Sequence, residues 1–231
     1  MAMLLDFPHR LTVGALSGAV AGVEPSSPFL ACAPFAIEAE RLSGADYRDV
    51  SLALRRGELI GLTGAEGSGY LNVARVLAGM TSPHSGVVRL PASDGHAVTL
   101  PGGNRNAAMA LGVRCVPQDG DTGEQVPAAL SCGERLTLAL ARALAADPKV
   151  LILIEPAAGV DLRTQDMISA MAEHARDAGC AVVLASSELD GLRGCDRLFV
   201  MSRGRIAAEF GPFWGDREVL ASIEGDDCHE R

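Results

Sequence analysis

The stretch Leu59-Ile60-Gly61-Leu62-Thr63-Gly64-Ala65-Glu66-Gly67-Ser68-Gly69-Tyr70-Leu71 decides how this chain is read. It opens with a short apolar run, the pattern of a buried strand. A glycine-rich turn follows, and Val73, Val76, Leu77 and Met80 then recur at helical spacing. The order is buried strand, Gly-rich loop, helix. Such a loop turns backbone N–H groups outward at the positive end of a helix, where an anion is stabilised. The phosphate-cradling version of the loop reads G-x-x-x-x-G-K-[ST]. Here Gly64 and Gly69 hold the two glycine positions and Gly67 adds a third, with Ser68 between them. Tyr70 and Leu71 stand where the lysine and the hydroxyl residue belong. Taken by itself the loop also reads as a plain tight strand–helix turn.

Working outward, Phe35–Glu40 and Asp49–Leu54 alternate like strands with one solvated face. Val87–Leu90 and His96–Leu100 read as edge strands, and Gly112–Pro117 as another strand. Residues 118–125 are polar and contain glycine. Ser131–Ala146 reads as a helix with a serine cap and Glu134 three residues on. Val150–Ile154 and Ala181–Ala185 are fully apolar, as strands of a buried parallel sheet are. A helix starting at Asp161 or Thr164 runs between them to Ala178, and a short helix begins at Glu188. Arg197–Met201 and Arg205–Phe210 form a hairpin around Arg203-Gly204. The expected fold is α/β: a parallel sheet with helices on both faces and an antiparallel β subdomain. Residues 1–35 hold Pro8, Pro25, Pro28 and Pro34 without strong periodicity and read as an N-terminal extension to a domain over 36–231.

The chain has 231 residues, 48% of them hydrophobic and 21% charged, which is ordinary for a globular protein. Its net charge of -9 argues against nucleic acid as the partner. Lys149 is the sole lysine, so no other lysine can replace the one missing from the loop. The six cysteines show no C-x-x-C spacing and no zinc-site pattern, so a reduced, cytoplasmic setting is expected. No segment reaches the roughly 20 apolar residues that span a bilayer.

Further motifs follow the loop in a fixed order. They are Leu130-Ser131-Cys132-Gly133-Glu134, then Arg142, then Pro148-Lys149-Val150-Leu151-Ile152-Leu153-Ile154-Glu155-Pro156, then Gly159-Val160-Asp161. Ser186-Ser187-Glu188-Leu189 and Cys195-Asp196-Arg197 through Arg203-Gly204-Arg205-Ile206 close the series. In this order and spacing the chain resembles the ATP-binding cassette (ABC) family over roughly residues 36–224. More narrowly, it looks like the second cassette of ribose/monosaccharide-type importer ATPases.

The resemblance implies a P-loop NTPase-like core and a set of roles. The loop from Gly64 through Gly67, Ser68 and Gly69 to Tyr70 and Leu71 would receive the ATP phosphates. Glu155 falls at the position that polarises the attacking water, and Ser187 where many cassettes carry a switch histidine. Gln118 matches the loop that senses Mg²⁺ and the permease, with a polar turn residue as the alternative. Ser131 and Gly133 match the signature motif that meets the nucleotide of an opposite cassette, with a plain helix cap as the alternative. Asp161 matches a loop linking two sites across a dimer, or is simply a helix N-cap. For adenine stacking the nearest upstream aromatic is Tyr47, whose alternative is a core or surface position. The implied partners are a membrane permease and a second cassette, in a homo- or heterodimer peripheral to the inner membrane.

The departures fall on one function. Tyr70 brings no positive charge, Leu71 no Mg²⁺ ligand, and Ile154 stands where the family has the aspartate that helps to hold Mg²⁺. Only twelve residues separate Gln118 from Ser131, where the family inserts a helical subdomain, so that subdomain is expected to be missing or reduced. The expectation is a cassette with weak ATP binding, no Mg²⁺ site and no hydrolysis. The alternative is a catalytically inactive cassette-fold protein with a regulatory or assembly role.

Overall fold

The computed structural model describes residues 35–91, 96–120 and 129–225. The reading of the N-terminal extension therefore lies outside the described residues except for Phe35. So does most of the segment between Gln118 and Ser131.

The chain begins its described course with β1 (Phe35–Ser43) and β2 (Val50–Arg55), an antiparallel pair. Then come β3 (Leu59–Gly64), the glycine loop and α1 (Tyr70–Leu77). β4 (Ser85–Pro91) and β5 (Ala97–Thr99) complete an antiparallel sheet of order β2-β1-β4-β5. Next are α2 (Arg105–Ala110), β6 (Val113–Val116), α3 (Cys132–Ala145), β7 (Val150–Ile154), α4 (Leu162–Asp177) and β8 (Ala181–Ala185). A 3-10 turn at Asp190–Leu192 leads to β9 (Arg197–Ser202), β10 (Arg205–Phe210) and α5 (Asp216–Glu224). The second sheet has the order β10-β9-β3-β8-β7-β6, parallel except for β10.

Why this sheet is central follows from the strands themselves. Every residue of β3, β7 and β8 is buried, so both faces must be covered. Successive side chains point to opposite faces, and the core divides accordingly. Ile60, Leu62, Ile152, Ile154, Val183 and Met201 share one apolar cluster with Val73 and Leu77 of α1 and with the antiparallel sheet. Leu59, Leu151, Leu153, Val182, Leu184 and Val200 share the other with Leu136 and Leu140 of α3, Ile168 of α4 and Val219 of α5. The expected parallel sheet with helices on both faces and an added antiparallel sheet is what the chain forms. The elements not expected are α2 and α5. Each buries a single residue, Ala108 and Val219 respectively, so neither carries a readable apolar stripe.

The architecture sends the carboxyl ends of β3, β7 and β8 to one edge. In open α/β sheets, ligands bind outside such ends.

Candidate functional site

At that edge the glycine loop leaves β3 at Gly64 and turns into α1. Gly69 caps α1 at φ 93, and a Cβ there would lie 2.5 Å from the Asp46 carbonyl oxygen. Only glycine fits both demands. Gly67 also has a positive φ of 79, but a Cβ there would meet nothing within 4 Å. The loop is thus pinned at its helix end and open at Gly67. Ser68 donates its backbone N–H to the Ala65 carbonyl at 3.0 Å. Its side chain is buried, and its hydroxyl has no hydrogen-bond partner among the described residues. An open glycine turn at a helix start with an orphan hydroxyl fits a phosphate group.

The metal positions do not fit. Ile154 is 4% exposed and belongs to the apolar cluster around α1, and Leu71 packs against the same cluster. Neither can donate an electron pair to Mg²⁺, a hard cation that takes oxygen ligands. Among the described residues no group of three His, Cys, Asp or Glu side chains is placed to hold a metal.

The place expected of a lysine is filled by Tyr70, 4% exposed, whose phenol donates a hydrogen bond to Oε1 of Glu155. Glu155 follows β7 directly and takes a positive φ of 48, which non-glycine residues rarely adopt. Its backbone N–H donates to the Ala185 carbonyl at 2.8 Å, prolonging the β7–β8 pairing. Ser187, just past β8, donates its N–H to Glu155 Oε1 at 2.9 Å and its hydroxyl to Oε2 at 3.1 Å. The carboxylate therefore accepts three hydrogen bonds, out of about four lone-pair sites. Burial pushes the Tyr70 phenol well above its ordinary pKa, and the bond to Glu155 pushes it further. Tyr70 remains a neutral donor at physiological pH. Replacing it with phenylalanine removes a buried bond to a carboxylate, so Tyr70→Phe is expected to lose about 1.5–3 kcal/mol of stability, read as a lower urea midpoint at unchanged slope.

Ser131, Gly133 and Asp161 gather elsewhere, around an open groove between the starts of α3 and α4 that Cys132, Gly159, Val160 and Met167 also line. Ser131 makes a reciprocal capping box with Glu134: its hydroxyl accepts the Glu134 N–H at 3.3 Å, and Glu134 accepts the Ser131 N–H at 2.8 Å. The Ser131 N–H, together with the Ser131 hydroxyl that donates to the same carboxylate oxygen at 2.8 Å, holds the exposed Glu134 carboxyl below its usual pKa. Asp161 caps α4, accepting the Thr164 N–H at 3.0 Å and the Thr164 hydroxyl at 2.8 Å. Thr164 also closes on Gly133, where an added Cβ would lie 3.3 Å away. The cap readings of Ser131 and Asp161 are thus realised in the fold, and both residues still face the groove.

Gln165, one residue beyond Thr164, was not legible as a site residue. Its side-chain amide donates to the Ala157 carbonyl at 3.1 Å and lies 3.5 Å from a Glu188 carboxylate oxygen. It ties the groove's loop to the residue after Ser187. Gln118 is exposed in the turn Pro117–Gly120, and no hydrogen bond among the described residues joins it to Tyr70 or Glu155. Tyr47 is 5% exposed and part of the core cluster. Its ring lies over Gly44, where a Cβ would approach to 2.4 Å. It is a core tyrosine, the alternative to adenine stacking, because its ring is buried and not open to a ligand.

No protein-family model matches the chain. The chain is 30% identical to ribose import ATP-binding protein RbsA 2 of Rubrobacter xylanophilus, over 78% of this chain and 44% of that protein. It is 31% identical to a putative ribose/galactose/methyl galactoside import ATP-binding protein of Agrobacterium fabrum, over 86% of this chain and 48% of that protein. The chain belongs to the ATP-binding cassette family. It spans about half the length of the curated relatives it matches. Among solved structures, the cassette's fold matches cbiO1 of Clostridium perfringens, part of the ABC transporter complex cbiONQ, with a TM-score of 0.62 at 21% identity, covering 81% of this chain and 91% of that one. It also matches the dimeric cassette MJ0796 bound to ADP and Pi, with a TM-score of 0.65 at 15% identity, covering 78% of this chain and all of that one. In this cassette Tyr70 of the glycine loop, Glu155 and Ser187 form one cluster, and Ser131, Gly133 and Asp161 line the groove that makes another. No helix among the described residues is long and apolar enough to cross a membrane.

Proposed function

We propose that this cassette serves as an ATP-binding subunit of a sugar-type membrane importer, holds nucleotide weakly and does not hydrolyse it. The sugar setting rests on the ribose and galactose import functions carried in the names of its relatives. The loss of turnover rests on one observation: Tyr70 occupies the lysine position and is hydrogen-bonded to Glu155, the residue at the water-polarising position. The loop backbone at Gly64, Gly67 and Gly69 would hold the phosphates, and ATP, when bound, brings the transferable phosphoryl group. Glu155 has little capacity left to orient a water, because Tyr70 and Ser187 already engage both its oxygens. Residues 36–231 form the cassette and residues 1–35 an extension to it.

In this reading the chain works against a membrane permease, at the cytoplasmic face of the inner membrane, and pairs with a second cassette that supplies turnover. The groove of Ser131, Gly133 and Asp161 is the surface offered to that second cassette. The same Tyr70–Glu155 contact favours a second reading, an inactive cassette that regulates or assembles a transporter. The short link between Gln118 and Ser131 supports it, because the helical subdomain that docks a permease has little chain to form from.

Thermal unfolding with ATP tests nucleotide binding. A small rise in Tm at millimolar ATP is expected, equal with Mg²⁺ and with EDTA, since no side chain at positions 70, 71 or 154 recruits the metal. A rise that needs Mg²⁺ overturns the loss of the metal site. Co-purification with a permease, against co-purification with a cassette alone, separates the two readings.

A further inference from the structure

The glycine loop has two ends of opposite character. At its near end the turn from Gly64 to Gly69 leads into α1, and Gly67 lies open. Backbone N–H groups at a helix start attract anionic charge. The buried, unpartnered Ser68 hydroxyl belongs to this end too. In loops of this kind the backbone cradles the α- and β-phosphates, and the lysine reaches the β- and γ-phosphates. Here the far end is built from a phenol and two carboxylates. The Tyr70 phenol is hydrogen-bonded to Glu155. Glu66, exposed in the loop itself, is a second carboxylate whose charge acts on that phenol. Neither Glu66 nor Glu155 has an ion-pair partner among the described residues.

We propose that this loop takes a nucleoside diphosphate in preference to a nucleoside triphosphate, because Glu66 and Glu155 repel the third phosphoryl group. The preference rests on the nucleotide-binding reading above and names the ligand class. Two phosphate groups are served by the loop backbone and the start of α1. A third adds negative charge and carries it toward the Tyr70–Glu155 bond, where a neutral phenol stands in place of an ammonium. Like charges brought together at a partly desolvated edge cost free energy. A charge that gives up water without gaining a donor costs more. The nearest donors are already spent, since the Ser187 N–H and hydroxyl both go to Glu155, at 2.9 and 3.1 Å. A loop with this preference responds to the ratio of diphosphate to triphosphate, with no turnover of its own.

The test is equilibrium dialysis of the full chain against radiolabelled ADP and, separately, ATP, in EDTA and at ionic strength held constant with chloride. ADP is expected to bind about ten-fold more tightly than ATP, a difference of about 1.4 kcal/mol. Glu66→Gln removes one charge from an exposed position, and Glu155→Gln removes the other while keeping an acceptor for Tyr70. Each is expected to narrow the gap to about three-fold, mainly by tightening ATP, and the double variant to close it. Gly67→Asp sets a carboxylate at the open part of the loop, where an added Cβ meets nothing within 4 Å, and is expected to weaken both nucleotides. ATP that binds as tightly as ADP, or a gap that survives the double variant, overturns the preference and leaves nucleotide binding standing. ADP binding untouched by Gly67→Asp places the nucleotide outside the loop and overturns the preference as well. Failure of both nucleotides to bind at millimolar concentration overturns the nucleotide-binding reading itself, and the preference with it.

Discussion

Phosphate release from MgATP by the purified chain is expected to equal that of its Glu155→Gln variant, with no Mg²⁺-dependent excess. In the proposed reading, three departures act on the same step. The positive charge that would face the β- and γ-phosphates is replaced by the neutral Tyr70 phenol. Coulomb attraction at 4 Å is worth roughly 4 kcal/mol at an effective dielectric of 20, and that much barrier alone is about a thousandfold in rate. The cation that neutralises developing charge in phosphoryl transfer has no oxygen ligand at Leu71 or Ile154. Glu155 keeps its position but is held by Tyr70 and Ser187. Each loss multiplies the others, so a single added charge does not restore turnover, and Tyr70→Lys alone is expected to remain at the Glu155→Gln baseline. A coupled-enzyme or radiolabel assay reads the result. Wild-type turnover ten-fold above Glu155→Gln would show that Glu155 is free to act and that the contact with Tyr70 opens in solution.

Most of the fold could be read from the chain because its core strands announce themselves. Val150–Ile154 and Ala181–Ala185 are apolar at every position, which only a sheet covered on both faces accommodates. The turn at Gly64–Gly69 marks where β3 ends. What could not be read were α2 and α5, whose single buried residues give no periodicity, and the helical reading of residues 105–110 depends on the Asn104 cap as seen in the fold. The candidate site was legible as positions and not as contacts. Glu155 and Tyr70 are 85 residues apart in sequence. Their bond exists because β3 and β7 bring their carboxyl ends to one edge and Tyr70 is the first residue of α1, and no local pattern encodes that. Tyr47 shows the same limit from the other side. An aromatic upstream of a phosphate loop invites a ligand role, but Gly44 leaves room for its ring and the core takes it.

Ile154 stands where the family has an aspartate, so a substitution there asks whether the position can carry a metal ligand. Ile154 is the last residue of β7 and 4% exposed, and it shares its cluster with Ile152, Ile60 and Val73. An aspartate there would place a carboxylate among aliphatic groups with no lysine nearby and no oxygen from Leu71. Burying an unpaired charge is among the few single changes that cost more than routine amounts. Ile154→Asp is expected to lose about 3–5 kcal/mol at pH 7, a fall in Tm of roughly 8–15 °C. The pH dependence carries the sign. Burial raises the pKa of that carboxyl in the folded state above its unfolded value, so the folded protein keeps a proton that the unfolded chain releases. The deficit relative to wild type is then smallest below about pH 4 and grows as pH rises to the raised folded value. Ile154→Asn, which introduces polarity without ionisation, is expected to show a deficit that does not change with pH. Mg²⁺ is expected to rescue neither variant, because one carboxylate beside Leu71 is not a site. If Ile154→Asp keeps the wild-type urea midpoint, or regains it with Mg²⁺, position 154 faces water and a usable cation pocket, and the case for a lost metal site falls with it.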